Sequence, residues 1–262
     1  MTDALPTPLD VKLMNTMALA LFTGFMLLLV GTVAVWAAGH PWFAVRGITV
    51  TGQVVHTNAA MLRANVSPRL TGTFFTLDIA AARDAFESIG WVRHAQVHRA
   101  FPNRLKVTLE EHQAVAYWGR ESESTLVNSF GEVFEANAGE IEQDSLPRLS
   151  GPTGSAAKVL VMDQTLQPHF AALNLTIEQL DMTPHGGWRV RLDNDGVIEL
   201  GSGSTEQVLT RTDRFLKTLT QVVARYGRTP EALETADLRH EDGYAIRLRG
   251  VSTLAAADTK KK

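Results

Sequence analysis

The side chains that could do chemistry in this 262-residue chain are eight histidines and 28 carboxylates; there is no cysteine. The missing thiols exclude a disulfide framework, a thiolate nucleophile and Cys-ligated zinc. His94 and His98 are four residues apart, but their surroundings alternate like a strand. There, two side chains on one face sit about 13 Å apart along the backbone, too far to share a metal ion. Glu110 and Glu111 are adjacent. Neighbours in a strand point to opposite faces, so they cannot work as an acid–base pair and read as a charged strand end. The run Gly201-Ser202-Gly203-Ser204 lacks the lysine of a phosphate-binding loop and the spacing of a dinucleotide fingerprint. It reads instead as a strand-to-helix link with Ser204 or Thr205 as helix cap. No HExxH or GxSxG pattern occurs. The sequence therefore offers no clustered catalytic set, and it implies no cofactor, no metal and no small-molecule substrate. A net charge of −3 argues against nucleic acid as a partner, since phosphate neutralisation needs a basic face.

The elements that carry these residues begin with an uncharged stretch from Leu13 to Gly39. As a helix it would reach about 40 Å, enough to cross a hydrocarbon core of roughly 30 Å with tilt. Lys12 precedes it, and Trp36, Trp42 and Phe43 follow at the level of an aromatic belt. Pro41 marks its exit. A cleaved signal peptide would have a shorter apolar region and a small-x-small site, whereas Trp36-Ala37-Ala38 presents a bulky residue there. The stretch reads as a retained anchor. Lys12 lies closer to it than Arg46 does, which favours a cytoplasmic start and export of all that follows.

Beyond the anchor, Val45, Ile48 and Val50 suggest a short strand. Thr57 resembles a helix cap before Ala59 to Ala64, and Asp78 caps a second helix that ends near Gly90. Val92, His94, Gln96 and His98 alternate with Arg93, Ala95, Val97 and Arg99 along a strand. Phe101 to Arg104 turns, and Leu105, Val107 and Leu109 return. Strand, helix, helix, strand, strand make a minimal α+β unit. Further on, Leu126 to Phe134 reads as a hairpin turning at Ser129 to Gly131, and Pro147 to Pro152 as a chain reversal. A helix runs through Leu166, Phe170, Leu173 and Leu175. Asn194-Asp195-Gly196 turns between strands at 188–192 and 197–201. A helix over about Glu206 to Tyr226 follows, with Leu209, Phe215, Leu216, Leu219, Val222 and Val223 inward. The closing strands, Ala236 to Arg239 and Tyr244 to Leu248, meet at Asp242-Gly243.

Several of these segments resemble the FtsQ/DivIB family of bacterial division proteins. FAVRGITVTG, and the run from Gly90-Trp91-Val92 through Phe101-Pro102-Asn103 to Glu110-Glu111, look like its POTRA domain. Leu126 to Phe134, Pro147 to Pro152, the Asn194-Asp195-Gly196 hairpin and Ala236 to Arg239 look like its second domain. Gln113, Asn128, Ser202 and His240 depart from the common family residues. The resemblance implies an α+β chain: a transmembrane helix, a small POTRA domain and a mixed β-rich domain with helices. The boundaries are 1–12 cytoplasmic tail, 13–39 span, 42–115 POTRA domain, 116–250 second domain and 251–262 disordered tail.

It also implies a non-catalytic component of the division machinery, in the inner membrane at the septum, with a cytoplasmic amino terminus and a periplasmic body. Its partners would be FtsB, FtsL, FtsK and other division proteins. A last strand at a sheet edge offers unpaired backbone groups to a partner segment, with Arg247 and Arg249 on one face and Ile246 and Leu248 on the other. By resemblance the partner contacts are Arg239, His240, Gly243, Tyr244, Ile246, Arg247, Leu248 and Arg249. A translocation or outer-membrane assembly factor is the alternative, since POTRA units serve there too, but such chains carry repeated units or many barrel strands. An exported wall hydrolase would need the catalytic cluster that the sequence lacks.

Overall fold

The computed structural model describes residues 9–120, 124–137, 146–240 and 243–251. The first eight residues, Asp242 of the expected turn, and the tail from residue 252 onward lie outside the described residues. The first long element is helix α1, Leu9–Ala38. Among the described residues it alone is long and apolar enough to cross a membrane: within Asp10–Ala38 an 18-residue window has mean hydropathy 2.3, and none of that window is buried. Its exit is set by Pro41, which opens a single 3₁₀ turn over Pro41–Phe43. The chain divides into two compact units, one ending at Glu111 and the other starting at His112.

In the first unit, strand β1 (Gly47–Gln53), helices α2 (Ala59–Val66) and α3 (Ile79–Glu87), and strands β2 (Val92–Ala100) and β3 (Arg104–Glu111) follow in the expected order. The sheet runs β1-β3-β2, with β1 parallel and β2 antiparallel to β3. Val66, Leu77, Ala85, Phe86, Leu105, Val107 and Leu109 form the core between helices and sheet. Asp78 caps α3 through the amides of Ala80 and Ala81. Asn58, not Thr57, caps α2, accepting from Met61 N at 2.8 Å. The strict alternation expected of β2 fails at one point. A register shift between Val92 and His94 turns Val92 inward with Ala95 and Val97, the signature of a bulge. His94 and His98 do share the outer face.

Glu111 is not a solvated strand end. Its side chain is 6 % exposed and accepts the amides of Val55, His56 and Thr57 at 2.9, 3.0 and 2.8 Å. Burial alone would raise its pKa. The Thr57 hydroxyl and the three amides outweigh that and hold it below its ordinary value. The carboxylate thus fastens the β1–α2 loop to β3, while the His56 ring stacks on Trp91 at 3.9 Å.

The second unit is a nine-stranded mixed sheet. Its strands are β4 (Ala114–Trp118), β5 (Thr125–Asn128), β6 (Val133–Glu135), β7 (Arg148–Ser150), β8 (Ile177–Met182), β9 (Gly187–Leu192), β10 (Val197–Ser202), β11 (Leu233–Asp237) and β12 (Ala245–Leu248). In space they run β12-β11-β10-β9-β8-β7-β4-β5-β6. Residues 148–150, expected within a reversal, instead fill the gap between β4 and β8, parallel to both. β8, which the sequence reading omitted, pairs with β9. Helices α4 (Ala156–Ala171) and α5 (Thr205–Ala224) pack on the sheet, burying Leu166, Phe170, Phe215 and Leu219 with Trp188. Ser204 caps α5 and Gln207 completes a reciprocal capping box. Asp195 adopts φ 61° at the β9–β10 turn.

Asp163 lies on the buried face of α4, 4 % exposed. Burial pushes its pKa up from 3.8 to about 6, against the single hydrogen bond from Gln167. The folded form therefore holds its proton over a range where the unfolded form has lost it, so stability falls as pH rises from about 4 to about 6. Asp163→Asn should raise the free energy of unfolding at pH 7 by up to about 3 kcal/mol, and leave it unchanged near pH 3. Calorimetry of the detergent-solubilised chain checks this. Glu111→Ala should leave three amides without an acceptor. Hydrogen exchange at Val55, His56 and Thr57 should then accelerate at least about tenfold, for the loss of roughly 1–3 kcal/mol of local stability, while exchange in the second unit holds.

Candidate functional site

Among the described residues the sheet of the second unit does not close, and β12 is its final strand. Core contacts hold β12 in place. Tyr244 sets its ring edge-on to Phe215 at 5.0 Å, and its hydroxyl lies 2.6 Å from Thr218 Oγ1 on α5. Ile246 packs half-buried on the core and Leu248 is fully inside. The strand runs antiparallel to β11, with Asp237 opposite Ala245, Ala236 opposite Ile246 and Thr235 opposite Arg247. Arg249 N donates inward to Ala232 O at 2.9 Å. Amide direction alternates along a strand, so the N–H groups of Ile246 and Leu248 point away from β11, toward the open margin.

Charge surrounds this margin in an ordered way. Arg239, just past the end of β11, chelates Asp237: Nε donates to Oδ1 at 2.9 Å and Nη2 to Oδ2 at 2.5 Å. This bidentate pairing pulls the Asp237 carboxyl down to about 2. The pair is exposed, so its worth to stability is screened. Arg247 reaches Glu234 at 3.3 Å, and the Arg249 guanidinium donates to Asn194 O. Gly201, at φ +81°, passes beneath Arg239; a Cβ there would come within 3.2 Å of Arg239 Cγ. The left-handed backbone and the close approach both require glycine.

The eight residues singled out from the sequence thus divide. Arg239, His240, Gly243, Arg247 and Arg249 are exposed, whereas Tyr244, Ile246 and Leu248 turn their side chains into the domain and offer the margin only backbone. Asp237 aligns with Ala245, which places Arg239, His240 and Gly243 at one end of the margin and Arg247 and Arg249 at the other. Glu234, Asp237 and Asn194, which neutralise or orient the arginines, were missed. Glu234 and Asn194 carry no local signal, because they are fixed by register and by a distant turn; Asp237 stands only two residues before Arg239. The edge at β1 was missed as well. In the first unit, among the described residues, β1 pairs only with β3, beside a groove of about 500 Å³ lined by Ile48, Val50, Leu62, Arg46 and Arg63 among others. Among the described residues no three His, Asp or Glu side chains stand close enough to hold a metal ion.

Among the described residues, one helix apolar enough to cross a membrane, a strand-helix-helix-strand-strand unit and a β-rich unit follow one another along the chain. Residues 43–112 match the family described as POTRA domain, FtsQ-type, and residues 116–239 match that described as Cell division protein FtsQ/DivIB, C-terminal. The chain is 39 % identical to the cell division protein FtsQ of Burkholderia pseudomallei, over 97 % of this chain and 99 % of that one. It is 36 % identical to that of Thiomonas arsenitoxydans, over 97 % and 93 %, and 33 % identical to that of Bordetella pertussis, over 97 % of each. The chain belongs to the FtsQ/DivIB family of cell division proteins.

The Arg239 chelate is directly measurable. The Asp237 carboxyl should titrate near 2 by carbon-detected NMR, and Arg239→Ala should return it toward the 3.8 of a free side chain.

Proposed function

We propose that this protein is a non-catalytic scaffold of the division septum that gathers partners by completing its open sheet. Its amino terminus faces the cytoplasm, and both folded units lie on the far side of the inner membrane. One strand of FtsB, presented with FtsL, adds to β12; FtsK and other division proteins engage the span or the first unit. The observation that carries this reading is the margin of β12, where the amides of Ile246 and Leu248 face outward between clusters of arginine. Backbone pairing would supply affinity, and Arg239, Arg247 and Arg249 would select acidic side chains on the incoming strand. Glu234 and Asp237 hold those arginines extended until a partner carboxylate competes for them, which favours specificity over raw affinity. The anchor adds to this by confining both partners to the membrane plane, so that weak edge pairing acts at high effective concentration.

In a co-reconstituted complex with FtsB and FtsL, the amides of Ile246 and Leu248 should gain strong protection from hydrogen exchange. Arg247→Glu, whose side chain is exposed, should weaken the complex by about tenfold to a hundredfold, the range for one charge-assisted contact turned repulsive. Unchanged exchange at Ile246 and Leu248 on complex formation would exclude strand addition at β12.

A further inference from the structure

We infer that the first unit rests one end of its sheet on the bilayer surface, through exposed aromatic side chains set in a ring of cations, so that the anchor and the domain act as one oriented body. The occupant of this surface is the anionic headgroup layer next to the point where α1 leaves the membrane. The inference rests on α1 being a membrane span and is independent of what docks on β12.

Backbone register defines the end concerned. Arg46 N donates to Asn103 O at 2.9 Å, and Gly47 stands opposite Arg104. The start of β1 and the β2–β3 turn therefore lie together, a few residues past the helix terminus at Ala38. The loop between α2 and α3 joins them. Thr73 Oγ1 donates to Ala38 O at 2.6 Å, the last carbonyl of α1, and Phe74 N donates to Phe43 O at 2.7 Å. Arg99 grips the same loop from β2, donating to Phe74 O at 2.7 Å and to Leu77 O at 2.6 Å.

What this built end displays is apolar. Trp42 is 78 % exposed, Phe101 82 % and Phe75 50 %. Phe75 packs edge-on to Phe43 at 5.0 Å and to Phe74 at 5.2 Å, and Phe74 faces Phe101 at 6.3 Å. Three large aromatics on a rigid frame, each at least half exposed, would be costly on a free surface. At the polar–apolar boundary of a bilayer their rings are favoured. The charge agrees. Segments 39–47, 69–77 and 98–106 contain Arg46, Arg69, Arg99, Arg104 and Lys106 and no carboxylate, although the chain as a whole is acidic by −3. Interfacial aromatics combined with cations are the pattern by which a folded surface holds to anionic lipid. The patch is also continuous with the belt of the span itself, since Trp36 meets His40 and His40 meets Trp42 at ring distances of 5.4 and 4.8 Å.

Because the chain has no cysteine, single-cysteine labelling needs no prior substitution. Full-length protein carrying a fluorophore at Leu28→Cys, Phe75→Cys, Phe101→Cys or His94→Cys is reconstituted in phosphatidylcholine vesicles with and without phosphatidylglycerol. Quenching by lipids bearing a nitroxide in the headgroup or deep in the acyl chain is then read. His94, on the outer face of β2, lies about 20 Å further along the strand than Ala100 and serves as the distant site. Labels at 75 and 101 should be quenched by the headgroup nitroxide at least about twofold more than the label at 94, and more so with phosphatidylglycerol. Label 28 should respond to the deep nitroxide. If 28 responds while 75 and 101 behave like 94, the bilayer contact is wrong, the span stands and the patch belongs to a protein partner. If 28 fails to respond, the span is wrong and this inference falls with it.

Discussion

An open sheet has to end, and at each end a row of backbone N–H and C=O groups loses the neighbour that satisfies the rest. The second unit of this protein meets that constraint in two ways. At β6 the margin is three residues long. At β12 the strand is longer, Leu248 is buried in the core, Tyr244 just before it is tied to α5, and among the described residues its outward amides have no neighbouring strand. Arginines flank it, each already held by a carboxylate or carbonyl of the same sheet. Such pairing blunts an edge against indiscriminate association while leaving cations in place for a partner whose acidic groups match. Everything proposed for assembly follows from that incomplete ladder.

The helices serve the margin indirectly. α5 holds Tyr244, the residue before β12, through Phe215 and Thr218, and its capping box at Ser204 fixes where the helix begins relative to Gly201. Gly201 in turn lets β10 pass under Arg239 without a side chain in the way. A loss at any of these positions would reach the margin through packing, without touching a bound strand.

Much of this architecture was legible in the sequence because it is encoded locally. Asn194-Asp195-Gly196 specifies its hairpin through residues that tolerate positive φ, Asp78 and Ser204 announce helix starts, and 27 uncharged residues announce the span. The final strand was legible from its own residues and the Asp242-Gly243 turn signal, and the FtsQ/DivIB resemblance supplied its docking role. What stayed hidden depends on distance. β7 is three residues long and has no periodicity to detect; it exists because β4 and β8 leave a gap for it. β8 reads Ile177, Glu178, Gln179, Leu180, Asp181 and Met182, and the adjacent polar pair Glu178-Gln179 breaks the alternation. The bulge at Val92 shifts which residues face the core. Glu111 is a structural clasp only because a loop more than fifty residues earlier folds back to it. Of the candidate site, the cations were legible and their counter-ions were not, since Glu234 and Asn194 meet arginines through register and through a turn in another hairpin.

The central claim is that a partner strand lies along β12, and in-cell photocrosslinking addresses it most directly. A photoreactive residue replaces Ala245 or Arg247, both exposed on that strand, and, separately, Val133 on β6. The account predicts a crosslink from 245 and 247 to FtsB and none from 133. Crosslinks to FtsB that arise from β6, with 245 and 247 silent in dividing cells, would contradict it.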